Sequence, residues 1–354
     1  MNLSFTPEQE QLRASIGKML QYQTSNTAPE LSAQSVYNEL VAMGVLALAK
    51  RSGQHATEDD LTSVVAVTEE LGRKRVAEPF LSTFLGAKLL SAAGNSSDIP
   101  TGVAIFEPDS RYSHSNPATT AQKQDNGYLL NGTKVAVTMG NTARQYLVYA
   151  GITDLSEPST GLFVIDGNQA GIEIYNYPTI DDGNGCSLKI TNLELGDDAL
   201  LCHGEPAAQL ITEHLQVAAL LLSAEALGLM EHILQGSVEY CNQREQFKQP
   251  IGKFQIIQHR LADMYIHCQS IRSLLYAGVA NHIERSADAE SSIAALKFKV
   301  GELGRLAAEV AVQVHGATGF TEEYWLGKYY RRLLVIDALY GNTDHHLRTY
   351  IQAM

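Results

Sequence analysis

The sequence predicts a three-part fold. It consists of an N-terminal α-helical domain (residues 1–100), a small central β-barrel or β-sandwich domain (101–203) and a C-terminal four-helix bundle (204–354). Apolar residues recur at intervals of three and four in the first part, which is helical spacing. The second part is rich in β-branched and aromatic residues and is interrupted by Gly, Asn and Asp. The third part returns to helical spacing in much longer segments, which favours a bundle.

The N-terminal part opens with a helix-start signal. In "TPEQEQLRASIGKMLQYQ", Thr6 is placed to cap the helix, Pro7 takes the first helical position, and Glu8 and Glu10 fall in the first turn. Acidic side chains at that end interact favourably with the helix dipole. The segments "SAQSVYNELVAMGVLALA", "TEDDLTSVVAVTEELGRKRV" and "AEPFLSTFLGAKLLSAAG" continue the pattern, and we expect the last helix to end at Gly94.

The central part is predicted to be strands joined by short turns. "GYLLNGTKVAVTMG" and "RQYLVYAGI" are strand-like, with a turn expected at Asn131–Gly132 because Asn-Gly favours tight hairpin turns. "TGLFVIDG", "GIEIYNYPTI" and "CSLKITNLELGDD" extend the β domain.

The C-terminal part is predicted to hold three long helices and one shorter terminal helix. The first is a single long periodic segment that starts at "PAAQLITEH" and runs to "REQF". "FQIIQHRLADMYIHCQSIRSLLYAGVANHIE" and "AESSIAALKFKVGELGRLAAEVAVQVHG" give the next two. Their apolar stripes predict the bundle.

Composition excludes several classes of partner. The 354 residues carry a formal net charge of -13, which argues against nucleic acid and anionic membrane surfaces as partners. The N-terminus lacks a basic region followed by an apolar core, so no signal peptide is expected. The apolar run Val217–Met230 is interrupted by Glu225 and is too short to cross a bilayer. Four scattered cysteines without a CxxC pattern indicate reduced thiols, and we expect a cytoplasmic protein.

Several familiar motifs are absent or weak. No GxGxxG follows a strand and opens a helix, so a Rossmann dinucleotide site is not expected. His315 and the adjacent pair His345 and His346 lack ligand spacing on one helix face, so no metal site is predicted. A Ser/His/Asp hydrolase would need a GxSxG elbow, and the sequence has none.

Three C-terminal stretches carry a resemblance to a known family. They are "REQFKQPIGKFQIIQHRLADM" (Arg244–Met264), "AVQVHGATGFTEEYWLGKYYRR" (Ala311–Arg332) and "LYGNT" around Gly341. With the helix–β–helix order, they resemble the acyl-CoA dehydrogenase family, whose members carry R-x-x-F-x-x-P-I-x-x-F-Q, Q-x-x-G-G/A-x-G-[YF] and a Y-E-G-T end. The resemblance extends over essentially the whole chain.

The resemblance implies FAD as cofactor, an acyl-CoA as substrate and an electron-transfer flavoprotein-type acceptor. Arg244 would offer a planar fork to the FAD pyrophosphate, and the Gln313–Gly316 turn would bring backbone N–H groups to it. In this family such residues reach across a dimer interface to the FAD of the neighbouring subunit. The implied cofactor-binding residues are Arg244, Gln246, Phe247, Phe254, Gln255, Gln313, Val314, Gly316, Ala317 and Thr343.

The family's catalytic base is missing. The reaction removes a proton from the carbon next to the thioester and needs a carboxylate within reach of it. The usual glutamate position is Gly341, and the family's alternative position falls on Ala218, with Ala219 beside it. Asp344 is a weak substitute, because a residue at a helix start more often serves to cap the helix dipole.

Two further departures affect the half of the site that would hold this chain's own flavin. Where the family has T-E-P-x-x-G-S-D, the chain reads "AIFEPDSRYS", so Phe106 would crowd the isoalloxazine edge while Glu107–Pro108 is kept. The stretch Lys50–His55 replaces a common glycine-rich loop. The pattern resembles the smaller, non-catalytic subunit of hetero-oligomeric acyl-CoA dehydrogenases, which act on bulky or dicarboxylic acyl-CoAs.

Three hypotheses follow from these departures. The chain is a subunit that completes the FAD site of a homologous catalytic dehydrogenase subunit. Alternatively, it is a self-sufficient homo-oligomeric enzyme that uses Asp344 as base. The third hypothesis is a scaffold subunit of the same fold that binds no flavin.

Overall fold

The structure, a computed structural model, describes residues 6–26, 32–50, 58–97, 99–138, 142–154 and 159–354. By proximity of Cα atoms the chain forms two compact units. The first comprises Met1–Val36, Glu58–Ala77 and Ala218–Met354, and the second comprises Tyr37–Thr57 and Glu78–Val217. The three domain boundaries expected from the sequence stay a prediction.

The N-terminal helices form where the apolar spacing predicts them. They are α1 (Pro7–Asn26), α2 (Ala33–Ala42), α3 (Glu58–Arg73) and α4 (Phe80–Ala92). The Thr6 hydroxyl accepts a hydrogen bond from the Gln9 amide at 3.3 Å, and the Gln9 side chain accepts one from the Thr6 amide at 2.9 Å. This reciprocal capping box confirms Thr6 as the N-cap of α1.

The central strands form one mixed sheet. Its strands are β1 (Thr101–Ala104), β2 (Thr120–Gln124), β3 (Gly127–Thr138), β4 (Gln145–Thr153), β5 (Ser159–Asp166), β6 (Ile172–Pro178), β7 (Asn184–Leu195) and β8 (Leu200–His203). The strand order is β6-β7-β3-β2-β4-β5-β8, and β1 pairs with β4 in parallel. Buried residues such as Leu130, Tyr146 and Phe163 form the core of the sheet domain.

The turn predicted at Asn131–Gly132 is wrong. Both residues lie inside β3, and the chain reverses between β2 and β3 instead, just before Gly127. The pairing of β3 with β7 shifts register between Leu130 and Gly132, which marks a bulge. Gly132 has φ +154°, and a Cβ there would lie 2.7 Å from the Thr119 Cα, so the close approach of two backbones explains the glycine.

The C-terminal helices are α5 (Glu205–Gln243), α6 (Gln255–Ile283), α7 (Ala289–His315), α8 (Trp325–Ala338) and α9 (Thr343–Gln352). Two short helices therefore follow the three long ones, where the sequence predicted one. The expected continuation of the first long helix through "REQF" is also wrong. The chain leaves the helix after Gln243 and forms a two-stranded hairpin, β9 (Glu245–Gln246) with β10 (Gln249–Pro250).

Helix α5 is apolar enough in length and composition to cross a membrane, but it is a core helix here. Within its most apolar window, 83% of the residues are buried inside the fold. Its apolar side chains are therefore already covered by protein.

Two glycines let α3 and α5 cross in contact. A Cβ on Gly72 would overlap the carbonyl oxygen of Glu225, and one on Gly228 would overlap that of Glu69. Because neither residue has a Cβ, the two helix backbones approach more closely than larger residues would allow.

A network of ion pairs surrounds this crossing. The Glu69 carboxylate is fully buried and lies 3.0 Å from Arg13 Nη2, 2.9 Å from Arg73 Nη2 and 3.0 Å from Arg272 Nη1. Glu231 on α5 also pairs with Arg73 and Arg272. The network joins α1, α3, α5 and α6, and each buried charge has several partners, as burial requires.

A second, more deeply buried pair joins α5 to α8. Arg332 Nε and Nη2 each donate to the Glu225 carboxylate at 2.7 Å. The two residues are 7% and 1% exposed, so water is excluded from this bidentate contact.

We expect Arg332→Met to lower the free energy of unfolding by about 3–5 kcal/mol, because it leaves the Glu225 carboxylate buried without its guanidinium. The double variant Glu225→Leu with Arg332→Met should recover most of that loss. Urea denaturation measures both. As a control, Arg305→Met removes the exposed pair with Glu309 and should cost less than about 1 kcal/mol. Equal losses in the single and double variants would contradict the coupling.

Candidate functional site: the hairpin, the glycine turn and position 341

The hairpin after α5 presents the predicted arginine stretch. Phe247 and Lys248 form its tip with φ of 51° and 65°. Two successive left-handed residues are typical of the two-residue turns that match strand twist, and Asn or Gly usually fills them. A non-glycine residue there costs about 1–2 kcal/mol. Such strain is often found at functional sites, since a ligand or partner can favour the strained shape.

The side chains on this hairpin face outward. Arg244 and Gln246 are exposed, and neither has a side-chain hydrogen bond or ion pair to the described part of the chain. Phe247 is 86% exposed and touches Phe254 edge-on, with ring centroids 6.0 Å apart. Gln255 is also exposed and begins α6. The guanidinium of Arg244, the side-chain amide of Gln246 and the ring of Phe247 are therefore exposed at this surface.

The turn predicted at Gln313–Gly316 begins later than expected, because Gln313 and Val314 are still in the last turn of α7. The glycine turn of the structure is Gly316–Phe320. Gly316 ends the helix with φ 63°, and open space surrounds the position of its missing Cβ. Gln313 and Ala317 are exposed, and the Gln313 amide has no partner among the described residues, whereas Val314 is buried. Gln313 and the backbone of Gly316 and Ala317 thus face outward, and Val314 packs inward.

The structure brings the hairpin and the glycine turn together. The Tyr240 hydroxyl, on the last turn of α5, donates to the carbonyl oxygen of His315 at 3.3 Å. The Tyr240 carbonyl accepts from the Arg244 amide at 2.8 Å. Stretches about 70 residues apart in sequence are therefore adjacent in space, and both carry exposed donors.

Position 341 has neither a carboxylate nor room for one. Gly341 is buried and has φ +109°, a conformation that residues with a Cβ rarely adopt. A Cβ there would lie 2.5 Å from His346 Nε2 and 2.6 Å from His345 Cδ2. Burial, and then the charges of Lys297 and His345, lower the pKa of His346 to about 3, so its imidazole is neutral.

A buried lysine holds the loop that contains Gly341. Lys297 Nζ donates to the carbonyl oxygens of Ile336 at 2.8 Å, Asp337 at 3.2 Å and Gly341 at 3.0 Å. Burial lowers the pKa of Lys297 to about 8. The ammonium caps the end of α8 and favours the break between α8 and α9, which the sequence did not predict.

The neighbouring candidates Thr343 and Asp344 lie at the start of α9. The Thr343 hydroxyl donates to Asp337 Oδ1 at 2.7 Å, so its hydrogen is engaged within the chain. Asp344 is exposed in the first turn, which suits the helix dipole, and Asn342 caps the helix by accepting from the His345 amide at 3.0 Å. At the alternative base position, Ala218 and Ala219 are buried on α5.

In the sheet unit, Phe106 and Glu107 are both engaged internally. Phe106 is 8% exposed and packs edge-on against Tyr112, with ring centroids 5.7 Å apart. The Glu107 carboxylate accepts from the Ala118 and Thr119 amides at 2.6 and 2.8 Å and from Lys134 Nζ at 2.7 Å. Burial works to raise the pKa of Glu107, but the hydrogen bond and charge of Lys134 and the hydrogen bonds from Thr119 together outweigh it, so the pKa is lowered. Glu107 is a structural carboxylate.

Sequence reasoning missed three of the residues that shape these sites: Tyr240, Lys297 and His346. The signal for Tyr240 was its spacing, four residues before Arg244, which is one helical turn. Residues 51–55 of the stretch Lys50–His55 lie outside the described residues. Among the described residues, no group of three His, Cys, Asp or Glu side chains is placed to hold a metal ion.

Comparison with known proteins identifies the family. The model of the acyl-CoA dehydrogenase C-terminal domain matches residues 208–354, which contain the hairpin, the glycine turn and position 341. An isovaleryl-CoA dehydrogenase of Oryza sativa subsp. japonica is 31% identical over 247 residues, and a glutaryl-CoA dehydrogenase of Desulfococcus multivorans is 28% identical over 306 residues. The chain belongs to the acyl-CoA dehydrogenase family.

The extent of the match differs between relatives. The alignments cover 68% of this chain and 60% of the rice relative, and 84% of this chain and 74% of the bacterial one. The ChsE4–ChsE5 complex from Mycobacterium tuberculosis has a similar fold, with a TM-score of 0.83 at 22% identity over 99% of this chain and 98% of that chain. The fold predicted from the sequence, that of an acyl-CoA dehydrogenase, is confirmed.

We expect Gly341→Ala to lower the free energy of unfolding by about 2–4 kcal/mol, because it combines backbone strain with a clash against two imidazoles. Gly94→Ala is the matched control. Gly94 has φ +79° with nothing within 4 Å of its missing Cβ, so it carries the backbone strain alone. Urea denaturation compares them. If Gly341→Ala costs no more than Gly94→Ala, position 341 has room for a side chain.

Proposed function

We propose that this chain is a subunit of an FAD-dependent acyl-CoA dehydrogenase, which forms an α,β-double bond in an acyl-CoA thioester. We further propose that it completes the FAD site of a homologous catalytic subunit. The proposal rests on a contrast within the helical unit between position 341 and the surface formed by the hairpin and the glycine turn. Position 341 is filled by His345 and His346, whereas the side chains of Arg244, Gln246 and Gln313 face outward without partners in the described chain.

The exposed donors fit a pyrophosphate. Arg244 supplies a planar pair of N–H donors, Gln246 and Gln313 supply side-chain amides, and the absence of a side chain at Gly316 leaves open space at the end of α7. FAD, when bound, would take up the hydride that leaves the β carbon of the acyl group. The residues of this chain would bind and orient the pyrophosphate of the cofactor. The carboxylate that removes the α proton must then come from the catalytic subunit.

Apolar exposure supports an assembly at this surface. Ile256, Tyr265 and Ile266 on α6 are 62%, 56% and 57% exposed, and Phe320 after the glycine turn is 80% exposed. Exposed apolar residues near a cofactor-binding surface favour a protein interface. The similar M. tuberculosis structure is a complex of two proteins, ChsE4 and ChsE5.

Two alternatives remain in competition. Asp344 is exposed and unshielded at the start of α9, so a homo-oligomer that uses it as base is the second candidate. A scaffold without flavin is the third, favoured by the internal packing of Phe106 where the family holds the flavin ring. The electron-transfer flavoprotein-type acceptor and the cytoplasmic location stay predictions.

Co-expression with a homologous catalytic dehydrogenase subunit separates the three. We expect the chain to be colourless when purified alone and the complex to show a flavin spectrum and to oxidise acyl-CoAs in a dye-linked assay. A yellow, active chain alone supports the homo-oligomer. A partner that is equally yellow and active without this chain supports the scaffold.

We expect Arg244→Ala to weaken FAD retention in the complex about 10- to 150-fold, because a charge-assisted bidentate contact contributes about 1.5–3 kcal/mol. Arg348→Ala is the matched control, since Arg348 is also exposed and has no partner among the described residues. FAD remaining after serial dilution is the measurement. Equal retention in the two variants would remove Arg244 from the cofactor site.

A further inference from the structure

Tyr240 is the residue that links the two donor-bearing segments. Its carbonyl oxygen accepts from the Arg244 amide at 2.8 Å, and the Arg244 carbonyl accepts from the Ile251 amide at 2.8 Å, which closes the hairpin. Its hydroxyl donates to the His315 carbonyl at 3.3 Å, next to the Gly316 amide. One side chain thus contacts the start of the glycine turn while its own backbone anchors the hairpin.

The ring of His315 gives Tyr240 a fixed surface to pack against. The two rings stack with centroids 4.4 Å apart and 30° between their planes. His315 Nδ1 lies 2.8 Å from the Ala311 carbonyl, so it carries the proton, and burial lowers the pKa of His315, which keeps the ring neutral. Tyr324 and Trp325 contact the same imidazole at centroid distances of 5.4 and 5.9 Å.

The end of α5 is held from another side as well. Trp325 packs on Gly236, where a Cβ would lie 2.6 Å from the indole Cζ2. Gly236 lies about one helical turn before Tyr240, so the indole contact restrains the same stretch of α5. The Tyr240–His315 contact is therefore supported by α5, α7 and α8 and does not depend on the exposed loops that it joins.

We propose that Tyr240 is a positioning residue for the cofactor's pyrophosphate: through its contact with His315 it fixes the spacing between the hairpin and the glycine turn. The inference rests on the proposed function. In this arrangement, donors from both segments bind the pyrophosphate at the same time. Both segments lie at the exposed surface. Donors held at the right spacing before binding lose less conformational freedom when they bind. Tyr240 is half-buried, so it acts through Arg244 and the Gln313–Gly316 segment.

The first test measures amide hydrogen exchange in the full chain without FAD or partner. Tyr240→Phe keeps the ring stack and removes the hydroxyl bond. We expect the Arg244, Ile251 and Gly316 amides, all hydrogen-bonded in the structure, to exchange about 2- to 10-fold faster. Tyr240→Leu removes the stack too and should have a larger effect. Tyr149→Phe removes a comparable bond, to Thr160 at 2.9 Å in the sheet, and should leave these amides unchanged.

The second test measures FAD release from the complex on dilution. We expect Tyr240→Phe to release FAD about 2- to 10-fold faster than wild type, with its thermal midpoint close to that of Tyr149→Phe. Unchanged exchange at the hairpin and turn would overturn the inference. So would faster exchange spread evenly over the bundle with a fallen midpoint, since that shows a general loss of stability.

The experiments distinguish a failure of the proposed function from a failure of the positioning role of Tyr240. If Arg244→Ala does not alter FAD release, the proposed function fails, while the exchange measurement still decides whether Tyr240 couples the two segments. If Arg244→Ala accelerates release and Tyr240→Phe does not, the positioning role alone is overturned.

Discussion

The helical unit depends on one buried carboxylate. Glu69 lies within 3.0 Å of guanidinium nitrogens from Arg13, Arg73 and Arg272, on three different helices. An unpaired charge there would be too costly to bury, so α1, α3 and α6 must keep the arrangement that supplies its partners. The glycine-lined crossing of α3 and α5 fixes the next helix against them. Because these helices have a set geometry, the ends of α5 and α7 meet at one place and present their loops together.

The polar groups of the helical unit differ in whether they have partners within the chain. Inside, charges such as Lys297 and Glu225 are satisfied by backbone carbonyls or by a guanidinium. At the hairpin, Arg244 is left exposed on a backbone that two left-handed residues strain. The buried charges thus have partners within the chain, whereas the exposed Arg244 side chain is available to a ligand.

The sequence was informative where the signal is local. Helical spacing located the helices, the capping box at Thr6 placed a helix start, and the C-terminal motifs identified the family. It failed where the outcome depends on distant contacts. Asn131–Gly132 reads as a turn, but the approach of Thr119 makes it a bulge inside a strand. The glycine at position 341, where the family resemblance places a glutamate, was visible in the sequence. The imidazoles that fill the space come from packing that no motif encodes.

The loop around Gly341 also bears on how this chain can change over evolutionary time. A glutamate placed there would meet left-handed backbone and two imidazoles, in a loop whose carbonyl oxygens are held by the buried ammonium of Lys297. A side chain at position 341 therefore requires changes in its neighbours as well. Glycine is hard to replace here one substitution at a time, so the packing of this loop is an evolutionary constraint on the position.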